Sequence, residues 1–197
     1  MYLKTLPFGR KGLAIMAISG VDLALWDLRG RQTGRPVVEL LGGCVGVPIP
    51  AYLGVRNSEN IEEKIKGYRG VKIALSGLSP EVSFDKIVEL VREVRQAINP
   101  EMLLMADAFM EWDLPFTLRI AERIAEYNLT WLEEPLPSDN LEGYAQLSRK
   151  CMIPIAGGEH EFTASAFKEL IQRRLHTVFQ PDVCWCGGLT QLLKIYL

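Results

Sequence analysis

The sequence predicts an α/β fold of parallel βα units, arranged as a closed barrel or an open sheet. Four short apolar runs between residues 103 and 182 each end at a carboxylate: Asp107, Glu133, Glu159 and Asp182. These carboxylates are 26, 26 and 23 residues apart, and one amphipathic helical segment lies between consecutive runs. A regular alternation of strand and helix with this period is typical of parallel α/β folds.

The spacing of these carboxylates also predicts a metal site. In a closed barrel, the residues just past the C-terminal ends of the strands converge on one face. Several carboxylates at one point repel each other strongly unless a cation lies between them. Hard divalent cations prefer oxygen ligands of this kind. We therefore expect a divalent metal at the strand ends.

Length and composition narrow the class of protein. The chain has 197 residues, of which 48% are hydrophobic, which is enough for a sizeable core. Its formal net charge of −2 gives no reason to expect nucleic acid or a membrane surface as a partner. We expect no transmembrane segment and no signal peptide. The spacing of the four cysteines predicts free thiols in a reducing, cytoplasmic compartment, with a redox or soft-metal pair at Cys184 and Cys186 as the alternative.

The first 47 residues are expected to be helical and distinct from the βα units. Apolar spacing predicts a helix over residues 13–32, followed by a short helix over residues 37–41. The apolar face of the first helix is expected to consist of Ala17, Val21, Leu25 and Leu28. This section is typical of the end of an element whose beginning is not present.

Six βα units are expected from residue 48 onward. Strands are predicted over residues 49–54, 70–75, 103–107, 129–133, 153–159 and 177–182. The helical segments that follow them begin at residues 60, 79, 113, 141, 163 and 189. The second of these opens with a cap, a proline and an acid at Ser79, Pro80 and Glu81. The fifth is expected to pack through Phe167, Leu170 and Ile171.

Several motifs follow one another along the whole chain. They are residues 17–28, 34–36 and 40–43, then Trp131–Pro135, Gly158–His160 and Gln180–Thr190. In this order and spacing they resemble the enolase superfamily, mandelate racemase branch, and most closely its rhamnonate-type acid-sugar dehydratases. The resemblance implies an enolase-type modified (β/α) barrel over residues 48–197, with the end of an N-terminal capping domain over residues 1–47.

The resemblance implies a Mg²⁺-dependent lyase. Asp107, Glu133 and Glu159 match the three Mg²⁺ ligands of such enzymes, the alternative being surface acids at loop starts. In the family, a divalent ion stabilises the enediolate formed when a proton is removed next to a carboxylate. Loss of the hydroxyl on the adjacent carbon then gives a 2-keto-3-deoxy acid. We therefore expect a rhamnonate dehydratase-like hydro-lyase.

Two alternative functions stay open. One is a racemase or cycloisomerase of the mandelate racemase and muconate lactonizing group, which would share the enediolate step. The other is a catalytically inert barrel fragment that only binds metal or takes part in assembly. For the leading interpretation we expect a small acid sugar as substrate, no nucleic-acid or membrane partner, and a cytoplasmic homo-oligomer.

Lys72 is the expected catalytic lysine. It lies where family members place a catalytic lysine on the second strand, and many relatives carry Lys-x-Lys there. This chain has Ala74 at the second lysine position. We therefore expect Lys72 to offset the carboxylate charge or to bind the substrate carboxylate. A lysine that only reaches solvent at the barrel rim is the alternative.

The remaining candidate residues follow the later strands. Asp182 matches the aspartate of the family's His-Asp dyad, with a loop-capping aspartate as the alternative. His160 is expected to contact substrate or act as an acid, or else to lie behind the metal ligands, whereas His176 is expected to be structural. Phe109 and Trp112 are expected to wall the substrate pocket or to pack in the core.

The length of the barrel section predicts missing elements. A full (β/α)₈ barrel needs about 250 residues, and barrel-like sequence starts near residue 48 here. We therefore expect two strands, the dyad histidine and most of the capping domain to lie outside this sequence. On that expectation the 197-residue chain lacks its catalytic base.

Overall fold

The computed structural model describes residues 1–78 and 84–197 and contains a parallel six-stranded sheet. The strands are β1 (Tyr52–Val55), β2 (Gly70–Ala74), β3 (Leu103–Asp107), β4 (Trp131–Glu133), β5 (Ile155–Gly157) and β6 (Val178–Phe179). Each strand pairs in parallel with the next, in the order β1-β2-β3-β4-β5-β6. The α/β class and the six parallel strands predicted from the sequence are therefore confirmed.

Helices alternate with these strands. They are α1 (Tyr2–Thr5), α2 (Leu13–Thr33), α3 (Val37–Leu40), α4 (Ile61–Lys64), α5 (Phe84–Ala97), α6 (Leu114–Ile124), α7 (Leu141–Lys150), α8 (Thr163–Gln172) and α9 (Leu189–Tyr196), with a 3₁₀ turn at Ala125–Tyr127. Asp113 caps α6, because its side chain accepts a hydrogen bond from the Phe116 amide at 2.8 Å. The predicted cap at Ser79, Pro80 and Glu81 lies outside the described residues. Within the described part of the chain, no helix combines the length and the apolar character that crossing a bilayer requires.

The chain divides into two compact units. The first comprises residues 1–49, 158–172 and 180–197, and the second comprises residues 50–157 and 173–179. All six strands belong to the second unit, which we call the sheet unit. We call the first the helical unit, because its regular elements are α1, α2, α3, α8 and α9. The division into domains at residues 1–47 and 48–197 stays a prediction.

The sheet unit has an apolar core because its strands are apolar on both faces. Val71 and Ile73 of β2, and Leu104 and Met105 of β3, are fully buried. Continuous apolar strands of this kind are typical of parallel sheets that are covered on both sides. Helices α5 and α6 contribute their buried stripes, which consist of Ile87, Val91 and Val94, and of Phe116, Ile120 and Ile124.

In the helical unit, the buried side of α2 is not the side that the sequence predicted. Val21, Leu25 and Leu28 are 45–55% exposed, and Ala17 is also exposed. The buried side instead includes Ser19, whose hydroxyl donates to the Ile15 carbonyl and accepts from the Gly187 amide, both at 3.0 Å. Apolar residues occur all around α2, so their spacing did not identify the buried side.

Helix α8 shows a smaller departure. It begins at Thr163 as predicted, and Phe167 and Leu170 are buried. Ile171 is 45% exposed, so the prediction that it packs inward was wrong. It lies one position past Leu170, which rotates it away from the buried stripe of the helix.

Candidate active site

Three neighbouring strands bring Lys72, Asp107 and Glu133 together. Strand register places Asp107 beside Glu133 on one side and beside Ala74 on the other. Lys72 precedes Ala74 by two residues, so both side chains leave β2 on the same face. The lysine Nζ lies 2.6 Å from Glu133 Oε1 and 3.1 Å from Asp107 Oδ2. We call these three side chains the strand-end cluster.

The strand-end cluster is mostly withdrawn from solvent. The exposed fractions of the side chains are 0% for Glu133, 13% for Asp107 and 18% for Lys72. Buried carboxylates require charge or hydrogen-bond partners. Besides Lys72, Glu133 accepts a 3.0 Å hydrogen bond from Trp131 Nε1, and Asp107 accepts one of 3.0 Å from the Phe109 amide.

The positive charge of Lys72 compensates the negative charges of the two carboxylates, which repel each other. Burial works against the charge on Lys72, but the hydrogen bond and attraction from Glu133, and the further attraction of Asp107, raise the lysine pKa overall. Burial and the repulsion from Glu133 raise the pKa of Asp107. Lys72 is therefore protonated at neutral pH in this arrangement. One lysine and two carboxylates leave a net charge of −1, and these hard oxygen donors suit a divalent cation such as Mg²⁺.

The loop after β3 is fixed to the segment after β4. The amides of Ala108, Met110 and Trp112 donate in turn to the carbonyls of residues 133, 134 and 135, at 3.0, 2.6 and 3.0 Å. Phe109 and Met110 adopt left-handed backbone conformations, with φ of 50° and 63°, which most side chains disfavour. Phe109 is 47% exposed and lines a pocket beside Asp107.

Trp112 belongs to the core and not to the pocket wall. It is 2% exposed, and its indole Nε1 donates to the Leu78 carbonyl at 3.2 Å. Its ring packs edge-on against Phe116, with 5.2 Å between centroids. Of the two aromatic residues considered from the sequence, only Phe109 lies where it can meet a ligand.

Glu159, His160 and Asp182 belong to the helical unit. Glu159 comes two residues after β5, and its Oε1 lies 3.7 Å from His160 Nδ1. The His160 ring packs edge-on against Trp185 at 5.0 Å between centroids. Asp182 accepts the Cys184 amide at 2.6 Å and so caps the turn after β6. This contact matches the capping alternative, and the role of Asp182 in a dyad stays a prediction.

His176 has the surroundings of a structural residue. Its ring packs edge-on against Tyr144 and Phe179, with centroids 4.6 and 5.9 Å away. Burial lowers its pKa from 6.5 to about 4, so it is neutral at physiological pH. All four cysteines are free thiols.

Trp131 is a contributor to the site that sequence reasoning did not identify. It lies two residues before Glu133 on the same strand, so both side chains point to the same face. That spacing was a usable signal, because an indole N–H beside a buried carboxylate finds an acceptor there.

Two family models match the chain. One is the mandelate racemase / muconate lactonizing enzyme N-terminal domain, which matches residues 3–42. The other is the enolase C-terminal domain-like family, which matches residues 58–197. The chain belongs to the mandelate racemase and muconate lactonizing enzyme family of the enolase superfamily. The expected enolase-type barrel fold is thereby confirmed.

Individual members of this family show the same likeness. An L-rhamnonate dehydratase of Saccharopolyspora erythraea is 38% identical over 200 residues, covering 99% of this chain and 50% of the relative. The crystal structure of rhamnonate dehydratase from Gibberella zeae complexed with Mg is 35% identical, with a TM-score of 0.91, and the match covers 100% of this chain and 48% of that one. A racemase from Streptomyces coelicolor A3(2) with bound magnesium is 32% identical, with a TM-score of 0.90, and the match covers 100% of this chain and 56% of that one. The chain thus spans about half the length of these relatives.

Proposed function

We propose that this family member is a Mg²⁺-dependent acid-sugar dehydratase of the rhamnonate dehydratase type. The observation that carries the proposal is the buried strand-end cluster of Lys72, Asp107 and Glu133. The likeness to rhamnonate dehydratases at 38% and 35% identity supports the substrate class. We also propose a cytoplasmic location, which the four free cysteines support. A homo-oligomeric state stays a prediction.

Asp107 and Glu133, with Glu159 as a third carboxylate, would hold the Mg²⁺. Each of the three follows or ends its own strand, and two solved relatives are named as magnesium complexes. The oxygen donors and the net negative charge of the strand-end cluster fit a hard divalent ion. When bound, the ion would stabilise the negative charge that develops on the substrate carboxylate once the α-proton is removed.

Lys72 would bind the substrate carboxylate as a fixed positive charge. Glu133 and Asp107 hold it protonated, so it is poorly suited to remove the α-proton, and Ala74 offers no second lysine. We therefore assign proton abstraction to the histidine of the family's His-Asp dyad, which Asp182 would orient. His160 would contact the substrate or give a proton to the leaving hydroxyl, and Phe109 would line the pocket. Removal of the α-proton, loss of the β-hydroxyl as water and tautomerisation would then give a 2-keto-3-deoxy acid.

A racemase is the second candidate. The Streptomyces coelicolor racemase is 32% identical over the whole chain, and its fold agrees as well as that of the dehydratase. Both reactions begin by removing the α-proton, so the strand-end cluster serves either one. The products separate them, because a dehydratase yields a 2-keto acid and a racemase returns the substrate with inverted configuration.

The test combines metal binding with product analysis. Calorimetry should show that Glu133→Gln weakens Mg²⁺ binding about tenfold or more, because one negative ligand is lost. Glu101→Gln, a change of an exposed glutamate, should leave it unaltered. The full-length protein with Mg²⁺ is then supplied with L-rhamnonate and other acid sugars, and 2-keto acids are measured by their semicarbazones. Equal Mg²⁺ affinity for wild type and Glu133→Gln would disprove the metal site, and inverted substrate without 2-keto acid would favour the racemase.

A further inference from the structure

A pocket opens beside Asp107 at the C-terminal ends of β1, β2 and β3. Its volume is about 380 Å³, which lies within the range of small-molecule sites. It is lined by Arg56, Ala74, Ser76, Asp107, Phe109 and Glu111. Arg56 directly follows β1, and the others come from the end of β2, the end of β3 and the loops behind them. Loops in this position carry the ligand contacts of parallel α/β barrels.

The walls of this pocket are held in place. Glu111 Oε2 accepts a 2.7 Å hydrogen bond from the Gly77 amide, which ties the loop after β3 to the loop after β2. The Phe109 amide donates to Asp107 Oδ1 at 3.0 Å. Ala74 pairs with Asp107 in the sheet, and its small side chain leaves open space next to that carboxylate. The pocket therefore starts at a candidate metal ligand and extends away from it.

The polar groups of the pocket suit a chain of hydroxyl groups. Arg56 supplies only donors, the Glu111 carboxylate supplies only acceptors, and the Ser76 hydroxyl supplies both. Arg56 is exposed, and within residues 1–78 and 84–197 its guanidinium has no carboxylate at ion-pair distance. A hydroxyl can donate to one neighbour and accept from another, so successive hydroxyls can satisfy all three groups. A second carboxylate at the far end of a ligand would be repelled by Glu111 and attracted by Arg56, so the pocket does not by itself separate monoacids from diacids.

We propose that this pocket is the subsite for the polyhydroxylated chain of an acid sugar, and that Arg56 and Ser76 select for chain length. The inference rests on the proposed function, because it takes the substrate carboxylate to lie at the strand-end cluster. It adds to that function a preference for long acids over short acids. Neither residue was singled out by sequence reasoning, since one arginine and one serine after strands carry no distinctive pattern.

Binding of two acids in the presence of Mg²⁺ tests the proposal. The acids are glycerate, which has only three carbons, and L-rhamnonate, which has six. Calorimetry should show that wild type binds L-rhamnonate about tenfold or more tightly than glycerate, because the longer acid gains hydrogen bonds to the pocket. Arg56→Met and Ser76→Ala should each lower the ratio of the rhamnonate to the glycerate affinity.

A control variant and two kinds of failure make the result decisive. Arg123→Met removes an exposed arginine from α6 that does not line the pocket, and it should keep the wild-type ratio. If L-rhamnonate shows no Mg²⁺-dependent binding to wild type, the proposed function is overturned and this inference with it. If L-rhamnonate binds but the ratio is unchanged in Arg56→Met and Ser76→Ala, the inference alone is overturned.

Discussion

Lys72 and His176 are two basic side chains of the sheet unit that the fold holds in opposite charge states. Lys72 extends from β2 to two carboxylates, which raise its pKa against the effect of burial. His176 precedes β6 and packs against the rings of Tyr144 and Phe179, where burial lowers its pKa to about 4. The fold therefore keeps Lys72 charged and His176 neutral.

The difference follows from the partners that each environment provides. At the C-terminal strand ends, Lys72 meets two carboxylates, so the charges compensate one another. Around His176 the neighbours are aromatic, and among the described residues its Nδ1 is buried without a hydrogen-bond partner. In parallel α/β barrels, the functional residues lie at the C-terminal strand ends, while residues on the opposite side contribute to packing. The two side chains agree with that division within a single unit.

Removing the Lys72 ammonium group from the strand-end cluster should have the largest effect on stability. Lys72→Met leaves Asp107 and Glu133 buried without their positive partner, so we expect the free energy of unfolding to fall by about 3–5 kcal/mol at neutral pH. Lys86→Met, at an exposed position of α5, should change it by less than about 0.5 kcal/mol. Urea unfolding followed by circular dichroism measures both values.

Adding Mg²⁺ to the same unfolding experiment tests whether the two carboxylates bind the ion. If Asp107 and Glu133 are metal ligands, the ion should restore part of the stability lost in Lys72→Met, because it binds the folded protein and replaces the missing positive charge. The same salt should have a smaller effect on Lys86→Met. Equal stability of the two lysine variants without Mg²⁺ would contradict the role given to Lys72 in holding the carboxylates.

Titration of His176 should produce the next largest effect. The unfolded chain takes up the proton near pH 6.5 and the folded protein only near pH 4, so the free energy of unfolding decreases as the pH falls between these values. Near pH 5 the loss should be about 2 kcal/mol relative to neutral pH. His176→Phe keeps an aromatic ring and cannot titrate, so it should lose that much less stability over the same interval. Parallel pH profiles for wild type and variant would show that His176 is not held neutral.

Much of the sheet unit was predictable because its signals are local. Strand β3 was predicted at Leu103–Asp107 and is observed there, since its apolar run is bounded clearly on both sides. Strand β5 was predicted over residues 153–159 but covers only Ile155–Gly157. Gly158 has φ of 112°, a conformation outside the strand region, so the chain leaves the sheet before Glu159.

The less predictable features depend on contacts between distant residues. The buried side of α2 is set by the hydrogen bond between Ser19 and Gly187, which are 168 positions apart. Lys72 was expected on β2, and its contacts with Asp107 and Glu133 agree with the charge compensation that the family resemblance implied. Apolar spacing alone could not have predicted these contacts, because it does not encode the register between strands. The pocket beside Arg56 is likewise formed by three separate loops.

The difference between the hydrogen bonds of Trp131 and Trp112 gives the smallest expected effect and the closest test of charge in this region. Trp131→Phe removes a donor to a buried charged acceptor, so we expect a loss of about 1.5–3 kcal/mol in the free energy of unfolding. Trp112→Phe is the matched control, because its indole donates to the neutral Leu78 carbonyl, and the hydrogen-bond part of its loss should be about 0.5–1.5 kcal/mol. Each variant keeps a ring for its aromatic neighbour, Tyr52 or Phe116. A larger loss for Trp112→Phe than for Trp131→Phe would show that packing, and not the charge of the acceptor, decides what an indole contributes in the sheet unit.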